Sequence, residues 1–478
     1  MEGHVRAAPA LTDEGQLYIL DDEGVFFSRT RGELFVFNTA ATFLWCGIEA
    51  GWSRQGLVDA CVEAWQLPPE DVRRRVAQLL REWWALGYLD SPGGADAGDV
   101  DPDTALAWML GNPRLRAAFR AAPEALARDL GVRDGHRRAF LALDADALDR
   151  QAVLIDRARE PQADAARSEL PHVVATADGS WSTLIEAVAR ARVKHLGETP
   201  PFRRYRLLST TFGVRYASEA QVAQIDPALN SLATDAVDDA DVLLDVVDTE
   251  AGHVLVEGRV PVAFCTSIDR MAPVLKSLLR LRALARHDFL MEIHAGVVAL
   301  DGQCLLLPGP PGSGKSTLTA GLCHAGFTYF SDEVALLEDD LRLRPVPLGV
   351  GIKPGAVAAL SALWPVVPSL TPHDREDGQR VRYLTLPAEH CAAADARLPA
   401  RWIVFPTYDA DVQTELRPIS RGEALRRLMN ECMVLPRGLD DDGVERLVHW
   451  MRSTECCELP MRSLEEAVDL LRQLCRAE

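Results

Sequence analysis

Apolar and polar residues alternate in three short runs near the start of the chain, Leu17 to Leu20, Val25 to Ser28 and Leu34 to Phe37, and each reads as a strand. Asp21-Asp22-Glu23-Gly24 and Thr30-Arg31-Gly32-Glu33 separate them and read as hairpin turns. The period then lengthens. Asn38 or Thr39 can cap a helix through Ile48, with Gly51 beyond its end. A second helix is expected from Ser53 to Trp65. Pro68-Pro69-Glu70-Asp71 opens a third, in which Val72, Val76, Leu79, Leu80 and Trp83 recur at helical spacing. Three strands followed by three helices predict an N-terminal winged-helix domain over 12–92, with an open sheet edge.

The Pro- and Gly-rich segment 91–98 reads as a linker. Residues 100–165 are rich in Ala, Leu and Arg and predict a small helical module. Phe119 and Leu126 share a face there, Pro123 can start a helix and Gly131 can end one. A polar stretch follows to Pro201. Strand and helix patterns then alternate. Phe212 to Tyr216 and Val242 to Val247 read as strands, Gly252-His253 starts a hairpin, and Met271 to Ala285 reads as a helix. From His294 to Ala335 the order is strand, turn, strand, Gly-rich loop, helix, strand. The fold class expected is therefore multidomain, α/β and α+β, with an α/β domain over 200–478.

Length and charge narrow the functions open to such a chain. It has 478 residues, 51 Lys and Arg against 70 Asp and Glu, and a net charge of −19. That sign opposes non-specific association with nucleic acid or an anionic membrane surface, so neither is expected as a partner. No run approaches the roughly 18 apolar residues of a membrane span, and Met1-Glu2-Gly3-His4 does not begin a signal peptide. Of ten cysteines only Cys456 and Cys457 lie close together, which is not a metal or redox spacing, so free buried thiols and a cytoplasmic location are expected.

The chemistry concentrates after the apolar strand Leu305-Leu306-Leu307. Gly309-Pro310-Pro311-Gly312-Ser313-Gly314-Lys315-Ser316-Thr317 matches G-x-x-x-x-G-K-[ST] at every fixed position. Glycines let backbone N–H groups converge on phosphate oxygens, and the following helix adds its N-terminal dipole. Lys315 supplies charge to the β- and γ-phosphates and Ser316 a hydroxyl for Mg²⁺, so a nucleoside triphosphate, ATP or GTP, and Mg²⁺ are expected to bind here. Phe327-Thr328-Tyr329-Phe330 reads as a strand ending in Ser331-Asp332-Glu333. Those two carboxylates can hold Mg²⁺ or take a proton from an attacking hydroxyl.

His294-Ala295-Gly296-Val297-Val298, the phosphate loop and Ser331-Asp332-Glu333 together resemble the core of the HPr kinase/phosphorylase family. The resemblance implies that Asp332 is the catalytic base, that His294 holds or tunes it, and that Lys315 and Ser316 keep their phosphate-loop roles. Ser316, Asp332 and Glu333 would then be the metal ligands, and a homo-oligomer is implied as well. Thr317 stands where that family has Glu, and Glu333 where it has a second Asp. The family's arginine-rich capture segment is not evident. Gly351-Ile352-Lys353-Pro354-Gly355, Arg380-Val381-Arg382-Tyr383 and Trp402 to Pro406 look more like the HPr-kinase-related kinases encoded with peptide-modification systems, including those acting on lasso-type peptides. Lys353 and Arg382 are candidate contacts to phosphate or peptide.

Residues 17–89 resemble the PqqD-like family of recognition elements, which bind leader segments of ribosomally made peptides. The resemblance rests on Gly32 to Asn38, Ala40-Ala41, Trp45 and the closing Leu86-Gly87-Tyr88-Leu89. An open three-stranded edge can accept an extended peptide as an added strand. By this resemblance the peptide lies beside Leu34, Phe35, Val36 and Phe37 and against the third helix, where Val76 and Leu80 are candidates. The function expected is an ATP-dependent kinase acting on a Ser or Thr hydroxyl of a precursor peptide, with other modification enzymes as further partners. A nucleotide-switched, non-catalytic peptide adapter and a regulatory kinase or phosphorylase of a folded carrier protein are the alternatives.

Overall fold

The computed structural model describes residues 9–91, 100–159, 188, 190, 200–235, 239–431 and 433–476. The linker expected after Ser91 and the polar stretch to residue 199 lie, apart from those two single residues, outside the described residues. The fold is mixed α/β with several sheets, and it divides into two compact units: Met1–Gln162 with Gly438–Arg452, and Ala163–Arg437 with Ser453–Glu478. No helix among the described residues is long and apolar enough to cross a membrane.

In the first unit β1 (Gly15–Leu20), β2 (Glu23–Ser28) and β3 (Glu33–Phe37) form an antiparallel sheet in that order. Asp21 at φ 58° and Gly32 at φ 63° supply the left-handed turns between them. Helix α1 (Thr39–Glu49) begins where Asn38 Oδ1 accepts the Ala41 N–H at 2.9 Å, and α2 (Arg54–Trp65) where Ser53 Oγ accepts the Gly56 N–H at 3.1 Å. Pro69 opens α3 (Pro69–Ala85), at a position where its missing N–H costs no helical bond. One face of the sheet meets these helices. Phe26 lies 4.8 Å from Trp45 and 4.5 Å from Tyr88, ring to ring, and Phe37 stacks on Trp83 at 5.3 Å.

Helices α4 (Pro102–Gly111), α5 (Pro113–Ala121), α6 (Pro123–Leu130), α7 (Asp134–Leu141) and α8 (Ala145–Arg159) build a second core around Met109, Phe119, Leu126 and Phe140. That core includes Ala85 of α3, and Asn112 Nδ2 donates to the Ala85 carbonyl at 2.8 Å. A helix from far along the chain, Asp441–Arg452, lies against β1 and β2 in the same unit. Arg29 Nε pairs with Asp441 Oδ2 at 2.9 Å, the Tyr18 hydroxyl donates to the Asp441 carbonyl at 3.2 Å, and Arg452 donates to the Ile19 carbonyl. Edge strand β1 is thus clamped. The other edge, β3, pairs only with β2 among the described residues.

The second unit starts with a five-stranded sheet of β4 (Phe202–Leu207), β5 (Thr210–Tyr216), β6 (Val242–Thr249), β7 (Gly252–Glu257) and β8 (Val260–Cys265), paired in chain order. Helix α9 (Met271–Leu284) follows and shares its core through Leu275 and Leu279. The larger sheet contains β9 (Met291–Ile293), β10 (Ala295–Leu300), β11 (Gln303–Pro308), β12 (Thr328–Ser331), β13 (Ala335–Leu337) and β14 (Arg342–Arg344). A small sheet of β15 (Val350–Ile352), β16 (Pro372–Asp374) and β17 (Arg380–Leu384) comes next in the chain. The large sheet is completed by β18 (Leu398–Tyr408), β19 (Arg417–Pro418), β20 (Met433–Val434) and β21 (Glu455–Met461). In it β11, β18 and β21 run parallel, side by side. Helices α10 (Lys315–His324) and α11 (Leu464–Arg476) pack on one another and close the core around Leu305, Leu318, Leu322 and Leu471.

Gly296 permits the close seating of α10. A Cβ there would stand 2.4 Å from Thr319 Oγ1, so any side chain would force the Thr319 side chain to shift. The nine cysteines among the described residues are all free.

Candidate functional site

Strand β11 carries Cys304 to Leu307 fully buried into the sheet and ends at the Gly-rich loop. Gly309, Gly312 and Gly314 take φ values of 154°, 95° and 94°, conformations open to glycine and strained for other residues. Lys315 is the first residue of α10. Its ammonium donates to the Gly309 carbonyl and, at 3.1 Å, to the Pro310 carbonyl, so it lies across the loop that it follows. Ser313 Oγ is buried with no hydrogen-bond partner. Pro310 and Pro311 are exposed, while Ser316 and Thr317 are half-buried in the first turn of the helix.

Beside the loop, β12 ends at a tight turn. Ser331 Oγ accepts the N–H groups of Glu333 at 3.3 Å and Val334 at 3.0 Å. Asp332 is 3% exposed; its Oδ2 accepts the Gly351 N–H of β15 at 2.9 Å, and its Oδ1 has no hydrogen-bond partner. Burial pushes the Asp332 carboxyl up to about 6. The Gly351 N–H opposes this, the Glu333 charge adds to it, and Lys276 and the Ser316 hydroxyl favour the carboxylate.

Glu333 faces elsewhere. Its Oε1 lies 3.1 Å from Lys276 Nζ, which also donates to the Gly349 carbonyl at 3.2 Å and sits 4.4 Å above the Tyr383 ring. Burial alone would raise the Glu333 carboxyl, but Lys276 and Arg280 hold it below its ordinary value. The two carboxylates expected as metal ligands thus meet different partners: Glu333 Oε1 pairs with Lys276, and Asp332 Oδ2 accepts from Gly351. His294 Nδ1 lies 3.0 Å from the Glu333 main-chain carbonyl. A carbonyl only accepts, so Nδ1 carries the proton, and the ring braces the turn that presents Asp332 while making no bond to the carboxylate itself. The protein atoms around the ring, and then the Lys315 ammonium, lower the His294 pKa and favour the neutral imidazole.

Lys353 follows β15, two residues beyond the Gly351 N–H that holds Asp332. Arg382, paired in register with Ile352, donates through Nε to the Leu370 carbonyl at 3.1 Å. Sequence spacing did not point to Lys276, which lies on an ordinary amphipathic helix; its charge on the buried face of α9 was the available signal. No group of three or more His, Cys, Asp or Glu side chains suited to a metal occurs among the described residues. Mg²⁺ held between nucleotide phosphates and one or two protein oxygens needs no such group. The Ser316 hydroxyl and the unpartnered Asp332 Oδ1 fit that role.

In the first unit Leu34 is buried, whereas Phe35, Val36 and Phe37 are half-buried on the edge strand. Val76 and Leu80, expected against the peptide, lie elsewhere. They are 2% and 0% exposed inside the core with Trp45 and Trp83, so no bound peptide reaches them.

No family model matches the chain, and no curated protein matches it. Among solved structures, one titled "TbiB1 in Complex with the TbiA(beta) Leader Peptide" is 24% identical, with the alignment covering 18% of this chain and 99% of that one at a TM-score of 0.17.

Proposed function

We propose that the protein is an ATP-dependent kinase that phosphorylates a Ser or Thr hydroxyl of a ribosomally made precursor peptide, and that the leader of this peptide binds the first unit. The observation carrying this reading is the juxtaposition in the second unit. A glycine loop with Lys315 and Ser316 at a helix N-terminus stands beside a buried carboxylate, Asp332, whose Oδ1 is unpartnered. Backbone N–H groups of 312–316 and the Lys315 ammonium bind the phosphates. Asp332 accepts the proton of the attacking hydroxyl, and burial gives it the basicity for that task. Ser316 and Asp332 would hold Mg²⁺, which would supply charge neutralisation at the phosphates.

The open β3 edge supports a peptide substrate, since an extended leader can add as a fourth strand. In this reading residues 12–92 form a PqqD-like winged-helix element, residues 100–165 a helical module, and residues 200–478 an HPr-kinase-like domain. Tethering raises the effective concentration of the peptide's reactive segment, so weak contacts at the transfer site suffice.

ADP release followed in a coupled assay tests the reading. Release should require a precursor encoded beside the gene, including its leader, and should vanish in Lys315→Ala and Asp332→Asn. Release without peptide would indicate a plain ATPase. None under any condition, with ATP still bound, would indicate a nucleotide-switched adapter.

A further inference from the structure

Parallel strands β11, β18 and β21 end on the same side of the sheet, where ligands of open α/β sheets bind. The phosphate loop follows β11. Tyr408 and Met461, the last residues of β18 and β21, are paired in register, and both flank the loop at Gly314. A Cβ on Gly314 would meet Met461 Cε at 2.4 Å and Tyr408 Cβ at 3.5 Å. Met461 is buried beneath the loop, whereas Tyr408 is 58% exposed.

That exposed ring is held on rigid backbone. The Tyr408 N–H donates to the Ser313 carbonyl of the loop at 3.1 Å, and the Asp409 N–H to the Met461 carbonyl at 3.0 Å. The segment after Tyr408 folds back onto the end of β21. The Glu415 N–H donates to the Pro460 carbonyl at 3.2 Å, and Thr414 Oγ1 accepts the Arg462 and Ser463 N–H groups at 3.2 and 3.4 Å. A large aromatic face therefore stands in solvent at the rim of the phosphate cradle, tied to it by a main-chain hydrogen bond.

We propose that Tyr408 is the platform on which the nucleobase of the bound nucleotide stacks, with Met461 fixing the loop beneath it. The inference rests on the phosphate-loop reading above and adds the base subsite to it. Every nucleobase offers a π face, so the platform favours a nucleoside triphosphate over bare triphosphate and serves adenine and guanine alike.

Inorganic tripolyphosphate carries the phosphates without the base and separates the two readings. Calorimetric titration of the full chain with MgATP and with magnesium tripolyphosphate, for wild type, Tyr408→Phe and Tyr408→Ala, is the test. Wild type should bind ATP about 10-fold more tightly than tripolyphosphate, and Tyr408→Ala should remove most of that advantage while tripolyphosphate binding stays unchanged. Tyr408→Phe should behave as wild type. Equal wild-type affinities for the two ligands, or an Ala variant that binds ATP as wild type does or loses both ligands in proportion, would overturn the base platform and leave the phosphate cradle standing. Binding of neither ligand by wild type would overturn both.

Discussion

Lys276 Nζ and Glu333 Oε1 lie 3.1 Å apart although 57 residues separate them in the chain, and the ammonium is almost wholly buried. This pair fixes the turn that presents Asp332. The same lysine bonds the carbonyl of Gly349, two residues before the Gly351 N–H that holds Asp332 Oδ2. Breaking such a pair from one side leaves the other charge uncompensated. Lys276→Met should lower stability by about 2 kcal/mol and slow transfer at least about tenfold with little change in nucleotide affinity. The double variant Lys276→Met/Glu333→Gln should recover most of the stability. Urea melts of the single and double variants measure the coupling, and additive losses would remove the pair as a unit.

Asp332 gives a pH-dependent prediction. A carboxyl whose folded pKa is raised to about 6 holds its proton more tightly when folded. The fold gains from this below the unfolded value, and the gain is lost as pH rises through about 6. At pH 8 the buried carboxylate costs about 3 kcal/mol, so Asp332→Asn should melt higher than wild type at pH 8 and equally near pH 4. The same variant should lose transfer by at least about 100-fold while still binding nucleotide. A variant that is active, or that melts lower at pH 8, contradicts this.

How far the sequence carries is visible at these residues. A cap at Asn38 or Thr39, a helix start at Ser53 and the glycine loop are local signals that need only neighbours within a few residues, and the structure caps these helices with Asn38 and Ser53. The partner of Glu333 is not legible in this way, because a lysine on a helix is ordinarily a solvated cation, and its place on the apolar face of α9 does not name the residue it meets. Val76 and Leu80 show the same limit. Helical periodicity marks an apolar face without saying whether a core or a ligand meets it. Likewise the amphipathic helix Asp441–Arg452 announces a buried face, and nothing local indicates that β1 and β2 lie opposite it.

The contrast between core and edge can be measured. Leu80→Ala should cost about 3 kcal/mol of stability by opening a cavity. Val36→Lys, on half-buried β3, should leave the melting temperature within a few degrees and weaken leader binding about tenfold, as read by fluorescence anisotropy of a labelled leader. Unchanged leader affinity in Val36→Lys would move the leader away from this edge.

Gly296→Ala should destabilise the second unit by about 2 kcal/mol, because the added Cβ meets Thr319 Oγ1 at 2.4 Å. Thr319→Ala in the same chain should restore most of the loss. If the double variant is no more stable than Gly296→Ala, the close approach of α10 to β10 is not the cause.

Intact-mass spectrometry of the precursor peptide, after incubation with the protein, ATP and Mg²⁺, bears most directly on the proposed kinase activity. A gain of about 80 Da, one phosphoryl group, that requires the leader, Lys315 and Asp332 is the predicted result. An unchanged mass, with leader and ATP both bound, would contradict it.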